Sequence, residues 1–205
     1  QRGLIAELKT AMVSFNDIYK LEPQVWLNDE IINFYMEMLS DRSKANPKEY
    51  LDIHCFNTFF FSTLSESGYQ KVRRWTKRID IFSKDLVFAP INQSLHWTLG
   101  VIDIKNKKVY VYDSLGGAHQ RGLKLLLDYV EQEHLDKKKD TLDMSEWTSS
   151  APKDIPHQEN MSDCGVFTCT FAERLSRNHE MDFSQKDMNL IRRRMVLDIS
   201  RKHIS

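Results

Sequence analysis

Of the three cysteines in this 205-residue chain, Cys55, Cys164 and Cys169, only Cys164 stands where a thiol would be activated. It precedes Gly165-Val-Phe-Thr-Cys-Thr-Phe-Ala-Glu-Arg-Leu175, in which Val166, Phe167, Phe171 and Leu175 recur at helical spacing, so the cysteine opens a helix. There the unpaired N–H groups and the positive dipole end favour the thiolate, which is the nucleophilic form. Gly165 is expected to leave room beside the sulfur for a substrate carbonyl. Cys169 lies about 140° further round the same helix at roughly 100° per residue, among Phe167, Thr168 and Phe171. Cys55, between His54 and Phe56, reads as a small core hydrophobe.

A thiolate needs a base or ion-pair partner, and among the seven histidines His96 is the one placed for it. It begins a strand beside Trp97, directly after the loop Asn92-Gln-Ser-Leu95, so its ring can emerge at a sheet end. His54, His119, His134, His179 and His203 sit in polar or helical surroundings where surface or capping roles are expected, and His157, next to Gln158, stays ambiguous. Asp113 ends the strand expected to pair with the one begun by His96. In an antiparallel pair those two ends meet, which would let the carboxylate orient the imidazole. Acyl transfer also needs an oxyanion donor. Gln158, in the loop before Cys164, can add a side-chain N–H to the one from the Cys164 backbone. Singly, Asp113 is an ordinary turn residue and Gln158 an ordinary loop residue; they gain weight as a set.

The elements that must hold these groups can be read from periodicity. Asn28-Asp-Glu30 is an N-cap with an acidic first turn, followed by Ile31, Ile32, Tyr35, Met38 and Leu39 at helical spacing. Residues 57–66 form a second buried helix ended near Gly68, and 69–75 a third. Three strands follow, Leu86 to Ala89, His96 to Ile104 and Lys108 to Asp113, the last two forming a hairpin across Lys105-Asn-Lys107. Residues 119–136 return to helix, and Lys137-Lys-Lys139 is expected to be a solvated charged loop. Ser184 and Asp187 have capping-box spacing ahead of a C-terminal helix carrying Met188, Ile191, Met195 and Ile199. On that helix, Arg192-Arg-Arg194 is expected on a solvated face with local ion pairs. Helices, a small mostly antiparallel sheet, then helices make an α+β fold.

Composition bounds the rest. Hydrophobic residues at 41% and charged residues at 28% are those of a globular domain. Twenty-nine basic and 29 acidic residues balance, so no whole-domain field points to nucleic acid or an anionic membrane. No apolar run approaches the ~18 residues of a membrane-spanning helix. A sparse, odd set of cysteines argues against a disulfide framework and for a reducing compartment. Cys164 and Cys169 lack zinc-motif spacing, so neither a metal nor another cofactor is expected. Gln1, with no apolar leader after it, reads as the start of an excised fragment.

With those residues placed, the sequence closely resembles the catalytic domain of the Ulp/SENP family, the SUMO (sentrin)-specific cysteine proteases. Four blocks carry the match: Trp26-Leu-Asn-Asp-Glu-Ile-Ile-Asn-Phe-Tyr-Met36, Gly68-Tyr-Gln-Lys-Val-Arg-Arg-Trp-Thr-Lys77, His96-Trp97 with Tyr112-Asp-Ser114, and Ile155 through Gly165. The resemblance implies a papain-like cysteine protease fold of the Ulp type, as a single catalytic domain over residues 1–205, with a regulatory region outside the fragment. It makes Cys164 the nucleophile, His96 its base and later acid, Asp113 the orienter and Gln158 the oxyanion donor. The implied substrates are SUMO precursors and SUMO-conjugated proteins, cut after the C-terminal Gly-Gly of SUMO. Trp26 and Trp97 match the family's two tunnel tryptophans; facing indoles would pass glycine and exclude a Cβ. Asp29, Arg74 and Trp75 resemble its exosite for the folded SUMO body. A monomer resident in the nucleus, and also in the cytoplasm, is implied. Two alternatives stay open: a protease for another ubiquitin-like modifier such as NEDD8, and a non-catalytic SUMO-binding module.

Overall fold

Side-chain caps fix where the main helices begin. In the computed structural model, which describes residues 3–205, a hairpin of β1 (Leu4–Glu7) and β2 (Met12–Ser14) leads into α1 (Phe15–Ile18), where Ser14 and Asp17 close a reciprocal capping box. Asn28 then caps α2 (Asp29–Ala45), its Oδ1 accepting from the Ile31 N–H at 3.1 Å, with Asp29 and Glu30 in the first turn as the sequence requires. After β3 (Ile53–Cys55) come α3 (Phe60–Ser67), ended by Gly68 at φ 79°, and α4 (Tyr69–Val72), which tightens into a 3-10 turn over Arg73–Thr76.

The sheet follows with β4 (Leu86–Gln93), β5 (His96–Asp103) and β6 (Lys108–Tyr112). Beyond it lie α5 (Gln120–Lys138), β7 (Thr148–Ser150), α6 (Cys164–Ser176) and α7 (Met188–Arg201). Among the described residues the larger sheet has five strands in the order β3-β4-β5-β6-β7; β4, β5 and β6 are antiparallel and each edge strand is parallel to its neighbour. The expected loop Asn92–Leu95 shrinks to the two-residue turn Ser94-Leu95. Both residues have positive φ, 53° and 60°, as the tight hairpin turn requires, and β4 runs on to Gln93, which pairs with His96.

Helices cover both faces of this sheet, so Leu86 to Ile91 of β4 form an unbroken apolar run. Leu86 and Phe88 point into a core shared with α2, α6 and α7; Val87, Ala89 and Ile91 point into a second core with α3, α4 and α5. Gly100 lets α5 approach closely, because a Cβ there would stand 3.0 Å from the Ala89 carbonyl and 3.3 Å from Leu126 Cδ1. Across the first core a buried ion pair joins α2 to α6, Arg42 Nη2 to Glu173 Oε2 at 2.8 Å, with a further bond to Ser176 Oγ at 2.9 Å.

Two charged segments differ from expectation. Lys137 and Lys138 continue α5, where Lys137 pairs with Glu133, and the helix ends at Lys139 in a left-handed cap. Arg192 is not solvated: it is 1% exposed, on the face of α7 that also carries Met188, Met195 and Ile199, whereas Arg193 and Arg194 are exposed and Ile191 is half-buried.

Candidate active site

Helix α6 packs against β5 and begins at Cys164, so its N-terminus meets the start of the strand where His96 and Trp97 lie. The Trp97 backbone N–H donates to Cys164 Sγ at 3.5 Å. His96 Nε2 lies 2.6 Å from Asp113 Oδ1. A carboxylate only accepts, so Nε2 carries the hydrogen, and Nδ1 is left to face the sulfur. The hydrogen bond to Asp113, then that to Cys164, raises the His96 pKa to about 9 against the opposing effect of burial. Burial pushes the Asp113 carboxyl up, but bonds from His96, the Leu115 N–H and His119 outweigh it, and the group stays below its ordinary value. The site therefore sets an imidazole whose protonated form is favoured between a carboxylate and the Cys164 sulfur at a helix N-terminus, which suits attack by the sulfur followed by proton donation.

Asp113 directly follows β6, and the antiparallel register that pairs Leu99 with Tyr112 carries it to the His96 end of β5. Gln158 is buried beside it. Its N–H donates to Ser114 O at 3.0 Å, its Oε1 accepts from the Ser114 hydroxyl, and its Nε2 donates to Asn160 O at 2.6 Å. One amide hydrogen remains for another acceptor. His157, left ambiguous by the sequence, spans Ser114 O at 3.3 Å and Lys153 O at 3.1 Å, and so belongs to the frame of this loop.

The loop into Cys164 is held from behind by a residue that sequence reasoning placed in solvent. Arg192 directs Nε and Nη2 to Asp163 Oδ1 at 2.8 and 2.7 Å, Nη2 to Ser162 O at 3.1 Å, and Nη1 to Lys20 O and Glu22 O at 3.1 and 2.9 Å. Each of the three guanidinium nitrogens thus donates to at least one acceptor. Asp163 also accepts from Asn160 at 2.7 Å and Gln185 at 2.8 Å. The helical spacing of Met188, Arg192, Met195 and Ile199 was the available signal, since it puts the arginine on the buried face.

The glycine after Cys164 has a different use from the one expected. A Cβ on Gly165 would stand 2.9 Å from Leu27 Cβ and 3.0 Å from Leu27 Cγ, so the space it leaves is occupied by Leu27 and not open to a carbonyl. The Leu27 carbonyl accepts from Trp97 Nε1 at 3.1 Å. This ties the buried Trp97 to the segment of the exposed Trp26 and brings the two tryptophans to one end of the site. Asp29, partly exposed, opens α2. Asn33, one turn on, exchanges bonds with Thr58, and nearby Phe60 packs against the exposed Trp75 at 5.8 Å between ring centroids, with Arg74 exposed beside it.

The remaining thiols and histidines sort by burial. Burial pushes the Cys55 thiol up to about 12 and that of Cys169 well above its ordinary value, so both stay protonated. His54 is half-buried on β3, where burial, then Lys84 and Lys44, push it down to about 4. His119 takes the capping position before α5 but makes no side-chain cap; its ring instead reaches Asp113 Oδ2 at 2.7 Å. Among the described residues no cluster of His, Cys, Asp and Glu could hold a metal ion, and no helix is long and apolar enough to cross a membrane.

Comparison with known proteins gives one family. The Ulp1 protease family, C-terminal catalytic domain, matches residues 25–205. A sentrin-specific protease of Caenorhabditis elegans is 46% identical over 188 residues, covering 92% of this chain and 27% of that protein. Sentrin-specific protease 2 of Mus musculus is 42% identical over 189 residues, covering 91% of this chain and 32% of that protein. The chain thus spans about a third or less of the length of these relatives. The C-terminal Ulp1 protease domain solved in complex with Smt3, the yeast ortholog of SUMO, superposes with a TM-score of 0.84 at 32% identity, covering 98% of this chain and 89% of that one. A Ulp1 structure with its catalytic cysteine oxidised to a sulfenic acid matches with a TM-score of 0.83 at 31% identity, covering 100% of this chain and 90% of that one.

Proposed function

The chain belongs to the Ulp1 protease family and carries its C-terminal catalytic domain, and from that premise we propose that it hydrolyses the bond after the C-terminal Gly-Gly of SUMO, in precursors and in conjugates to target lysines. The observation that carries the reading is the line of contacts from Asp113 through His96 to Cys164 at the start of α6. In the first half-reaction the Cys164 thiolate attacks the carbonyl carbon of the terminal glycine. The negative charge that develops on the oxygen is met by the Cys164 backbone N–H and the free amide hydrogen of Gln158, a type of donor worth about 100- to 1,000-fold in kcat. His96, protonated below about pH 9, gives its proton to the departing lysine amine, and a thioester remains. Water then attacks the thioester, His96 takes a proton from it, and the glycine carboxylate leaves as the thiolate returns.

Trp26 and Trp97 form the slot for the Gly-Gly tail, where any Cβ would meet an indole. Asp29, Arg74 and Trp75 form a polar rim with an aromatic anchor for the body of the modifier. SUMO as the modifier rests on the relatives named sentrin-specific proteases and on the related domain solved with Smt3. Nuclear residence, monomeric action and a single catalytic domain over residues 1–205 are part of the same proposal. The test is to incubate the protein with SUMO and with NEDD8 carrying C-terminal electrophiles, and to map the adduct by mass spectrometry. SUMO bonded to Cys164, and no adduct in Cys164→Ser, is the expected result. Labelling of NEDD8 alone, or a folded protein that binds SUMO and forms no adduct, would overturn it.

A further inference from the structure

Asp113 has two carboxylate oxygens, and the base takes only one. Oδ1 accepts from His96 Nε2 at 2.6 Å and from the Leu115 N–H at 2.8 Å, while Oδ2 accepts from His119 Nε2 at 2.7 Å. His119 occupies the N-cap position of α5, where Ser, Thr, Asp or Asn usually turns its side chain onto the helix N–H groups. Its ring makes no such bond, and its backbone is left-handed, at φ 52° and ψ 32°, a conformation uncommon outside glycine. The ring lies over Gly117, itself at φ +123°, where a Cβ would stand 3.1 Å from His119 Nε2. The left-handed turn and the missing Cβ together bring the imidazole to Oδ2, and leave the helix without its usual cap.

A carboxylate held at one oxygen still swings about its Cβ–Cγ bond. Held at both, it presents Oδ1 in one direction. We propose that His119 is a positioning residue for the reaction: its Nε2–H fixes Oδ2 of Asp113, and this aims Oδ1 at His96 Nε2 and so turns Nδ1 of the base toward Cys164. The inference rests on the roles proposed above for His96 and Asp113. His119 itself stays outside the reacting atoms, acting only through the carboxylate. Because an amide N–H can replace an imidazole N–H in this bond, the role needs a donor of the right reach and not a titrating ring.

The experiment compares His119→Ala with His119→Gln in the same domain, measuring kcat and KM on a SUMO bearing a C-terminal fluorogenic amide. Alongside, the proton of the short His96 Nε2–H to Asp113 bond is followed by NMR in the unreacted protein. His119→Ala is expected to lower kcat by about tenfold or more, the worth of one hydrogen bond to a charged group. KM should stay unchanged, and the downfield His96 proton should broaden or disappear. His119→Gln should recover most of kcat and restore the proton signal. Wild-type kcat and proton signal in His119→Ala would overturn the proposal, as would a folded His119→Gln that falls as far as the alanine variant. Should His119→Ala fail to fold, the glutamine variant decides alone by the same two readouts. A wild-type protein inert toward SUMO would refute the proposed function instead; the NMR comparison would still read the effect of His119 on His96.

Discussion

Removing the guanidinium of Arg192 should cost this domain far more than an ordinary helix arginine would. The side chain is 1% exposed, and its guanidinium bonds Asp163, Ser162 O, Lys20 O and Glu22 O. Arg192→Met keeps an unbranched apolar stem and deletes the charge. Asp163 would then be a buried carboxylate with only Asn160 and Gln185 as side-chain partners. Breaking a buried pair from one side costs about 3–5 kcal/mol, which for a chain of 205 residues is a fall in Tm of roughly 6–20 °C. Urea unfolding of both proteins, followed by tryptophan fluorescence, gives the difference directly. A loss below about 1 kcal/mol, the value of an exposed pair, would refute the reasoning.

The pH dependence checks the cause. Burial raises the Asp163 carboxyl, but the bonds from Asn160, Gln185 and Arg192 outweigh it and leave the folded pKa depressed. In the wild type this stabilisation is complete above the unfolded carboxylate value of about 3.9 and is lost as pH falls through the depressed folded value. In Arg192→Met the bond and charge that favour the ionised carboxyl are gone, so the folded pKa lies higher than in the wild type. The difference is fully felt at neutral pH and is relieved as pH falls through the variant's folded value toward that of the wild type. The stability gap between the two proteins should therefore narrow as pH falls from 7 into the carboxylate range. A gap that widens or stays flat would assign the loss to packing and not to the stranded charge.

Cleavage of a lysine isopeptide, whose leaving amine needs the His96 proton, should hold up to about pH 9 and fall above it, and Asp113→Asn, which removes the leading cause of the raised value, should move that alkaline limb to lower pH; an unmoved limb would break the link between the two residues. Gly165→Ala should cost about 1–3 kcal/mol by overpacking, because its Cβ would fall 2.9 Å from Leu27 Cβ. It should also raise KM for a Gly-Gly tail, since the Leu27 carbonyl anchors Trp97; unchanged stability and KM together would show that the contact relaxes freely.

The helix starts and the central strands could be read from the sequence because each rests on local chemistry. Asn28 caps α2 with a bond three residues away, and β-branched residues mark β5 and β6. The meeting of His96 with Asp113 was legible as well, since a short hairpin fixes which strand ends adjoin. What could not be read was set by partners far along the chain. Arg192 is buried because residues 20, 22, 162 and 163 converge on it. The β3 and β7 strands are three residues each, too short for a period, and exist because β4 and β6 offer free edges. His119 looked like a capping residue because nothing local reports that its backbone turns left-handed and carries the ring away from the helix.

The two anchored carboxylates divide the labour in a way that mutation can separate. Asp163 sits behind Cys164 and shares Arg192 with the Lys20 and Glu22 carbonyls, on the segment that leads to Trp26. One guanidinium therefore holds both the loop that presents Cys164 and the chain that presents one wall of the proposed tail slot. Substitutions there should lower stability, raise KM and lower kcat together, because all three depend on the same clamp. Asp113 faces His96 at a partly exposed sheet end, and its partner His119 is half-buried there. Loss of that contact should appear in kcat and the His96 proton with little change in Tm. Stability losses of similar size at His119 and Arg192 would mean that both carboxylates serve the fold alone.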